Sequence, residues 1–382
     1  MNSPGMTAGK QDNAAIRAAR FMARADIFSY ALLWLMVLLV AGTLSEKSFG
    51  LYMAQKIYFS SLIFWAGDLI PLPGVLLTVT FIFTGMVCKL ALDKWHWKDL
   101  GTIVIHLGAG LLLLGGFLTA QLSAEGSMVI PQGETRNYIE SDHDVELAVT
   151  EISGKNETTF GAAKMTEGAI LKAAALPFNI EVVSWCRNCG LERLKNAATE
   201  GSPHGVAINF LLRPLPRDPV EENNRAGLTF RLHNAGDRDG LYAIFESMPI
   251  PEIVTVAGRQ YLMTVRHART YLPFSVKLVH FEQTLYPGTG KPRSYKSEVV
   301  LQDQGAEWHS LIQMNEPLRY KGYTFYQASY MEGAPQATTV LAVVKNIGRL
   351  FPYISSIVIC IGMLIHLFQR LPSVLRERQT VS

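Results

Sequence analysis

Four long apolar runs restrict this chain more than any other feature. Residues 27–44 (IFSYALLWLMVLLVAGTL) carry no charge over 18 positions, about the length needed to cross roughly 30 Å of hydrocarbon. Further runs cover about 75–92, 101–122 and 350–368. The first exceeds the roughly 7–15 apolar residues of a removable signal segment, so it is expected to be a retained helix. Between the third and fourth runs lie roughly 225 residues of ordinary polar composition.

The positive charges orient such a layout. Lys10, Arg17, Arg20 and Arg24 precede the first run, Lys89, Lys94 and Lys98 separate the second from the third, and Arg370, Arg376 and Arg378 follow the fourth. With four spans all three groups fall on one side, which the distribution of Lys and Arg predicts to be cytoplasmic. Expected divisions are a cytoplasmic segment 1–26, three spans within 27–122, an exported domain 123–349, a fourth span 350–369 and a cytoplasmic tail 370–382. The aromatics and prolines of YFSSLIFWAGDLIPLPG, inside 45–74, fit either an interfacial segment or a plain connector. A formal charge of +3 excludes an extended nucleic-acid-binding surface.

Within 123–345 the helical period fades and β-type alternation takes over, as in 144–151 (DVELAVTE), 178–185 (FNIEVVSW), 274–281 (FSVKLVHF) and 298–301. Turn residues punctuate these runs. The fold class expected is an integral membrane protein with four transmembrane helices and a large, mainly antiparallel β domain, sandwich-like in architecture. LPFNIEVVSW (176–185) aligns with LPFSVKLVHF (272–281), and a duplicated strand-plus-hairpin unit would explain the match.

Near the end of the domain stands NEPLRYKGYTFYQASY (315–330). Pro317 suits a turn, and Gly322 permits a positive φ between two short strands. Arg319, Tyr320, Tyr323, Phe325, Tyr326 and Tyr330 are expected to form either a hairpin whose rings fill the core or a docking face for a partner or a haem edge. With LPFSVKLVHF, the following YPGTGKPRSYKSEVVL, and IVIHLGAGLLLLGGFL (103–118), this segment resembles the ResB family of system II cytochrome c biogenesis proteins. The order of three helices, exported domain and final helix extends the resemblance over nearly the whole chain, and 186–250 departs from it.

His106 lies in the third run, where an imidazole surrounded by hydrocarbon is a functional candidate by default. Haem iron accepts histidine nitrogen; the alternative is a hydrogen bond to a neighbouring backbone carbonyl. Gly108, Ala109, Gly110, Gly115 and Gly116 would admit a neighbouring helix or a flat macrocycle. The resemblance implies that His106 binds haem b non-covalently and transiently. His366, at matching depth in the fourth run, is either a second axial ligand or an interfacial side chain beside Gln369 and Arg370. The resemblance further implies a ResC/CcsA-type membrane partner, apocytochrome c as client, and residence in the bacterial cytoplasmic membrane. The six tryptophans form no WWD-type cluster, so a separate subunit rather than a fused two-component synthase is expected.

SWCRNCG (184–190) holds Cys186 and Cys189 in C-x-x-C spacing. Gly190 in place of histidine excludes covalent haem attachment. A disulfide clasp, a redox relay and a metal site remain, and the following LERLKNAA is expected to form a short helix. Three functions follow: haem-handling subunit of a cytochrome c synthase, membrane-tethered thiol oxidoreductase, or scaffold for the partner.

Overall fold

The computed structural model describes residues 13–67, 69–154, 156–194, 201–331 and 336–381, with 372–381 as backbone. Lys10 and the side chains of Arg376 and Arg378 lie outside the described residues. The chain divides into two compact units, one of residues 1–123 with 346–382 and the other of 124–345.

The first unit contains α1 (Ala14–Met22), α2 (Ala25–Ala54), a π turn (Gln55–Phe59), a hairpin of β1 (Ile63–Ala66) and β2 (Ile70–Pro73), α3 (Val75–Leu92), α4 (Leu100–Leu122) and α5 (Phe351–Val381). Four of its helical segments are long and apolar enough to cross a membrane. The first of these outruns the uncharged stretch: Ser45-Glu46-Lys47 continue α2, which bends only at Gly50, where φ is 78°. A charge outside the hydrocarbon does not end a helix, whereas a positive φ interrupts its hydrogen-bond ladder. The β1–β2 hairpin leaves Leu62, Ile63, Trp65, Leu69 and Ile70 exposed, the composition of an interfacial segment.

Glycines spaced by seven set the α4–α5 contact. A Cβ on Gly101 would lie 2.5 Å from the His366 backbone nitrogen, one on Gly108 2.6 Å from Ile359, and one on Gly115 would run into Phe351. From the other side, a Cβ on Gly362 would stand 2.7 Å from the Ile105 nitrogen. The seven-residue spacing keeps these positions on one helical face, and missing side chains let the backbones approach. Gly116, by contrast, faces open space.

The second unit is built from antiparallel strands: β3 (Ala124–Pro131), β4 (Thr135–Glu151), β5 (Glu157–Gly161), β6 (Ile170–Leu171), β7 (Asn179–Cys186), β8 (Cys189–Arg193), β9 (Phe210–Pro214), β10 (Gly227–His233), β11 (Gly240–Phe245) and β12 (Glu252–Val256). They continue with β13 (Arg259–Leu285), β14 (Pro292–Asp303), β15 (Ala306–Gln313), β16 (Leu318–Tyr320), β17 (Tyr323–Tyr330) and β18 (Thr338–Lys345). One sheet runs β11-β10-β7-β6; a larger one runs β15-β14-β13-β4-β3-β18-β17-β16, with β12 and β5 attached to β13 and β4. β8 and β9 form a separate hairpin. Leu191, Glu192 and Arg193 therefore lie in a strand, which corrects the expected helix; residues 195–198 fall outside the described residues.

Two large hydrophobic cores result among the described residues, and the long strands β4 and β13 serve both. Leu147, Val149, Tyr261 and Met263 join Ile180, Val182, Leu228 and Phe230 in the first core. Ile139, Phe274 and Val276 join Met128, Val299, Phe325 and Leu341 in the second. The first core lies between the four-stranded sheet and strands of the larger sheet, as in a β-sandwich, and the second is lined by strands of the larger sheet folded over it.

The two sandwiches share a topology. In the first, β7, β10 and β11 are successive neighbours, and β12–β13 closes the opposite layer beside β4. In the second, the C-terminal half of β13 with β14 and β15 repeats this order, and β17–β18 closes beside β3. The aligned segments occupy equivalent places. Phe178, Ile180 and Val182 are buried as are Phe274, Val276 and Leu278, and the pairing register shifts at Val183 in one strand and at Val279 in the other. The duplication expected from ten residues thus extends to whole sandwiches, and the β8–β9 hairpin is an addition to the first.

Replacing Gly108 by leucine is expected to lower the melting temperature of the detergent-solubilised protein sharply, while Gly116→Leu leaves it nearly unchanged. Phe325→Ala should destabilise the second sandwich by about 3–5 kcal/mol, read from urea unfolding.

Candidate functional site

An imidazole in an apolar helix needs a partner for its N–H, and helical spacing provides one four residues back. His106 Nδ1 lies 2.7 Å from the carbonyl oxygen of Thr102. A carbonyl only accepts, so Nδ1 carries the proton and Nε2 keeps a free lone pair. Backbone hydrogen bond and candidate ligand, posed as alternatives from the sequence, are therefore compatible on one ring.

His106 lines a cavity of about 460 Å³ enclosed by α2, α3, α4, the α1–α2 junction and one side chain of α5. This volume falls in the roughly 300–1,000 Å³ range of small-molecule sites. Phe28, Leu32, Ile82, Met86 and Leu113 contribute apolar wall, while Arg24, Lys89 and His106 are the lining side chains able to carry charge. Ala109 also lines it, but Gly108 and Gly115 face α5 and Gly110 faces Met86. The glycines thus serve helix approach, and the cavity lies beside them.

His366 is placed differently. Its Nδ1 stands 3.4 Å from the Thr102 hydroxyl, and it is not among the cavity-lining residues. Gln369, rather than His366, ties the end of the apolar part of α5 to the start of α4, donating to the Trp97 carbonyl at 3.0 Å and accepting from the Gly101 nitrogen at 3.4 Å. Thr102 therefore touches both histidines, through its carbonyl and its hydroxyl, while only His106 opens on the cavity. A lone threonine gives little signal in a sequence, although its i−4 position relative to His106 was readable.

In the β unit Cys186 and Cys189 are joined in a disulfide. Cys186 is buried at the end of β7, and Cys189 begins β8. The loop between them is pinned on both residues: Arg187 pairs with Glu221 at 2.5 Å, and Asn188 Nδ2 donates to the Pro216 carbonyl at 2.8 Å. This arrangement fits a clasp at the root of the β8–β9 hairpin. Removing it by Cys186→Ser should lower stability by on the order of 2 kcal/mol, the chain-entropy value for so short a loop, measured by chemical unfolding.

The six residues of the expected docking patch separate. Phe325 and Tyr323 are buried in the second core, so they are not available to an outside partner. Tyr320 donates to Asp303 at 2.7 Å and meets Phe274 edge-on, while Tyr330 stacks on Phe281. Arg319 and Tyr326 remain exposed. Alternation along β17 separates Tyr323 and Phe325 from Tyr326, because successive side chains point to opposite faces, and the register shift between Gln327 and Ser329 returns Tyr330 to the core side.

Sequence reading assigned no role to His267. Its Nε2 lies 2.9 Å from Glu246 Oε1. The hydrogen bond to Glu246 holds the imidazole above its ordinary range, against the effect of burial. Burial pushes Glu246 up, but the His267 hydrogen bond and charge outweigh it and hold the carboxyl below its usual range. His267 then contributes stability fully below pH about 6.5 and loses it as pH rises through its raised folded value; Glu246 contributes above pH about 4.3 and loses it as pH falls through its lowered one. Urea midpoints of the whole protein should decline on the alkaline side of this window, and His267→Gln should flatten that decline.

Residues 239–346, from the start of β11 through β18, match the ResB-like family. That segment of the chain is similar to ResB-like proteins. The chain is also 26% identical over 350 residues to Protein NrfI of Wolinella succinogenes, covering 88% of this chain and 34% of NrfI. The chain thus spans about a third of that relative's length. Its matched segment contains the whole NEPLRYKGYTFYQASY hairpin and begins after the β8–β9 addition.

Proposed function

We propose that this chain is a cytochrome c biogenesis subunit that handles haem in the membrane and presents apocytochrome c for covalent attachment. The observation that carries this reading is the free Nε2 of His106 on the wall of an apolar cavity. Family likeness supports the pathway and, with it, a ResC/CcsA-type membrane partner.

Haem b, as the cargo, supplies an iron that accepts an imidazole nitrogen and a large apolar ring. His106 would offer Nε2, with the Thr102 carbonyl fixing the tautomer and orienting the ring, the role a second partner plays at metal-bound histidines. The apolar wall excludes water from the bound ring. His366 supports Thr102 from α5 and is not assigned as a ligand. Thioether formation belongs to the assembly, since it also needs the reduced thiols of the client.

Arg17, Arg20 and Arg24 before α2, Lys89, Lys94 and Lys98 around the α3–α4 turn, and Arg370 in α5 support a cytoplasmic location for these ends. The β unit is then exported, in the compartment where a disulfide persists. A thiol oxidoreductase function is disfavoured by the burial of Cys186, because exchange needs an accessible sulfur. The scaffold reading differs from the present one in predicting no haem on the isolated chain.

Purified His106→Ala protein is expected to lose its haem, and His366→Ala to retain most of it, by pyridine haemochrome assay. Unchanged haem in His106→Ala would remove the assignment.

A further inference from the structure

The cavity beside His106 is apolar along its walls but not at its rim. Arg24 caps the start of α2, and Lys89 lies in the last turn of α3. His106 stands six residues into α4, or roughly 9 Å along its axis. The start of α2, the end of α3 and the start of α4 belong to one side of the membrane-spanning layout, so both cations border the end of the cavity nearest His106. They reach it from two different helices, and helix capping alone does not require that.

Each cation is held by a carboxylate of its own segment. Arg24 pairs with Asp26 at 2.5 Å and Lys89 with Asp93 at 2.8 Å. The side chains are 58% and 44% exposed respectively. Exposed pairs of this kind are weak and exchange partners readily. The site therefore combines an imidazole with a free lone pair, an apolar enclosure and two cations that can change partner.

We propose that Arg24 and Lys89 form a carboxylate-binding rim, receiving the two acidic side chains of the macrocycle whose ring fills the cavity. This rests on the haem reading of His106 and specifies which edge of the ring faces the cytoplasmic end. The ligand carboxylates displace Asp26 and Asp93, so these two residues set how strongly the rim binds. An anionic phospholipid, with an apolar body and a phosphate head, presents related chemistry, and the test separates the two.

Full-length protein in detergent, stripped of haem, is titrated with ferric haem and with its dimethyl ester, in which both carboxylates are blocked, and followed by the Soret band. His106→Ala serves as background, and phosphatidylglycerol retention is read by native mass spectrometry. Arg24→Gln/Lys89→Gln should weaken binding of the free acid about tenfold, the scale of a lost charge-assisted contact, and leave the ester unchanged. Asp26→Asn/Asp93→Asn should strengthen binding of the acid and not of the ester, a gain that misfolding does not produce.

Unchanged binding in Arg24→Gln/Lys89→Gln, while His106→Ala still abolishes it, would overturn the rim and leave the haem reading standing. Equal loss of acid and ester would overturn it as well. Loss of phosphatidylglycerol with haem affinity intact would reassign the rim to lipid. A wild-type protein that binds neither form of haem above the His106→Ala background would overturn both.

Discussion

The close approach of α4 and α5 is the constraint on which the membrane unit depends. Gly101, Gly108 and Gly115 remove side chains from one face of α4 at intervals of seven, and Gly362 does so on α5. Without a hydrophobic force between helices in lipid, this contact relies on backbone proximity and dispersion. It brings the Thr102 hydroxyl to His366 and leaves the Thr102 carbonyl for His106. His106 itself lines the neighbouring cavity. Helix packing and the candidate site are in this sense one arrangement.

The β unit relies on a different economy. β4 and β13 are long enough to belong to both sandwiches: the first core draws on the stretch 145–265, and the second draws on residues on either side of it. The first sandwich lies between β3 and the C-terminal half of β13 in chain order, inside the second. Shared strands couple the stability of the two cores, and a cavity made in one is expected to weaken the ladder that the other uses. The chain enters this unit at Ala124 and leaves it at Lys345, which are partners in the β3–β18 ladder.

Much of this was legible from the residues, for physical reasons that also explain what was not. The spans appear as apolar runs, and α2 outruns its run because helix continuation depends on backbone angles, which Gly50 rather than Glu46 disturbs. Alternation identified the strands. It did not show that β13 is one strand of 27 residues, because Pro273 in its middle reads as a break. The ladder to β4 is interrupted there, between Tyr271 and Val276, while the strand itself continues. His106 stood out as an isolated imidazole in an apolar run. Arg24 and Lys89 did not, since their relation to it exists only across helices. Phe325 and Tyr326 looked equivalent in an aromatic cluster, and only the strand's phase separates the buried ring from the exposed one.

The central claim is that the cavity beside His106 is a haem site. The most direct test is an experimental density map of the full-length protein purified with its haem in lipid nanodiscs. The account predicts a planar density in this cavity, with iron next to His106 Nε2 and Thr102 still accepting from Nδ1. Lipid density in the cavity, or haem bound elsewhere with the His106 nitrogen unligated, would contradict it.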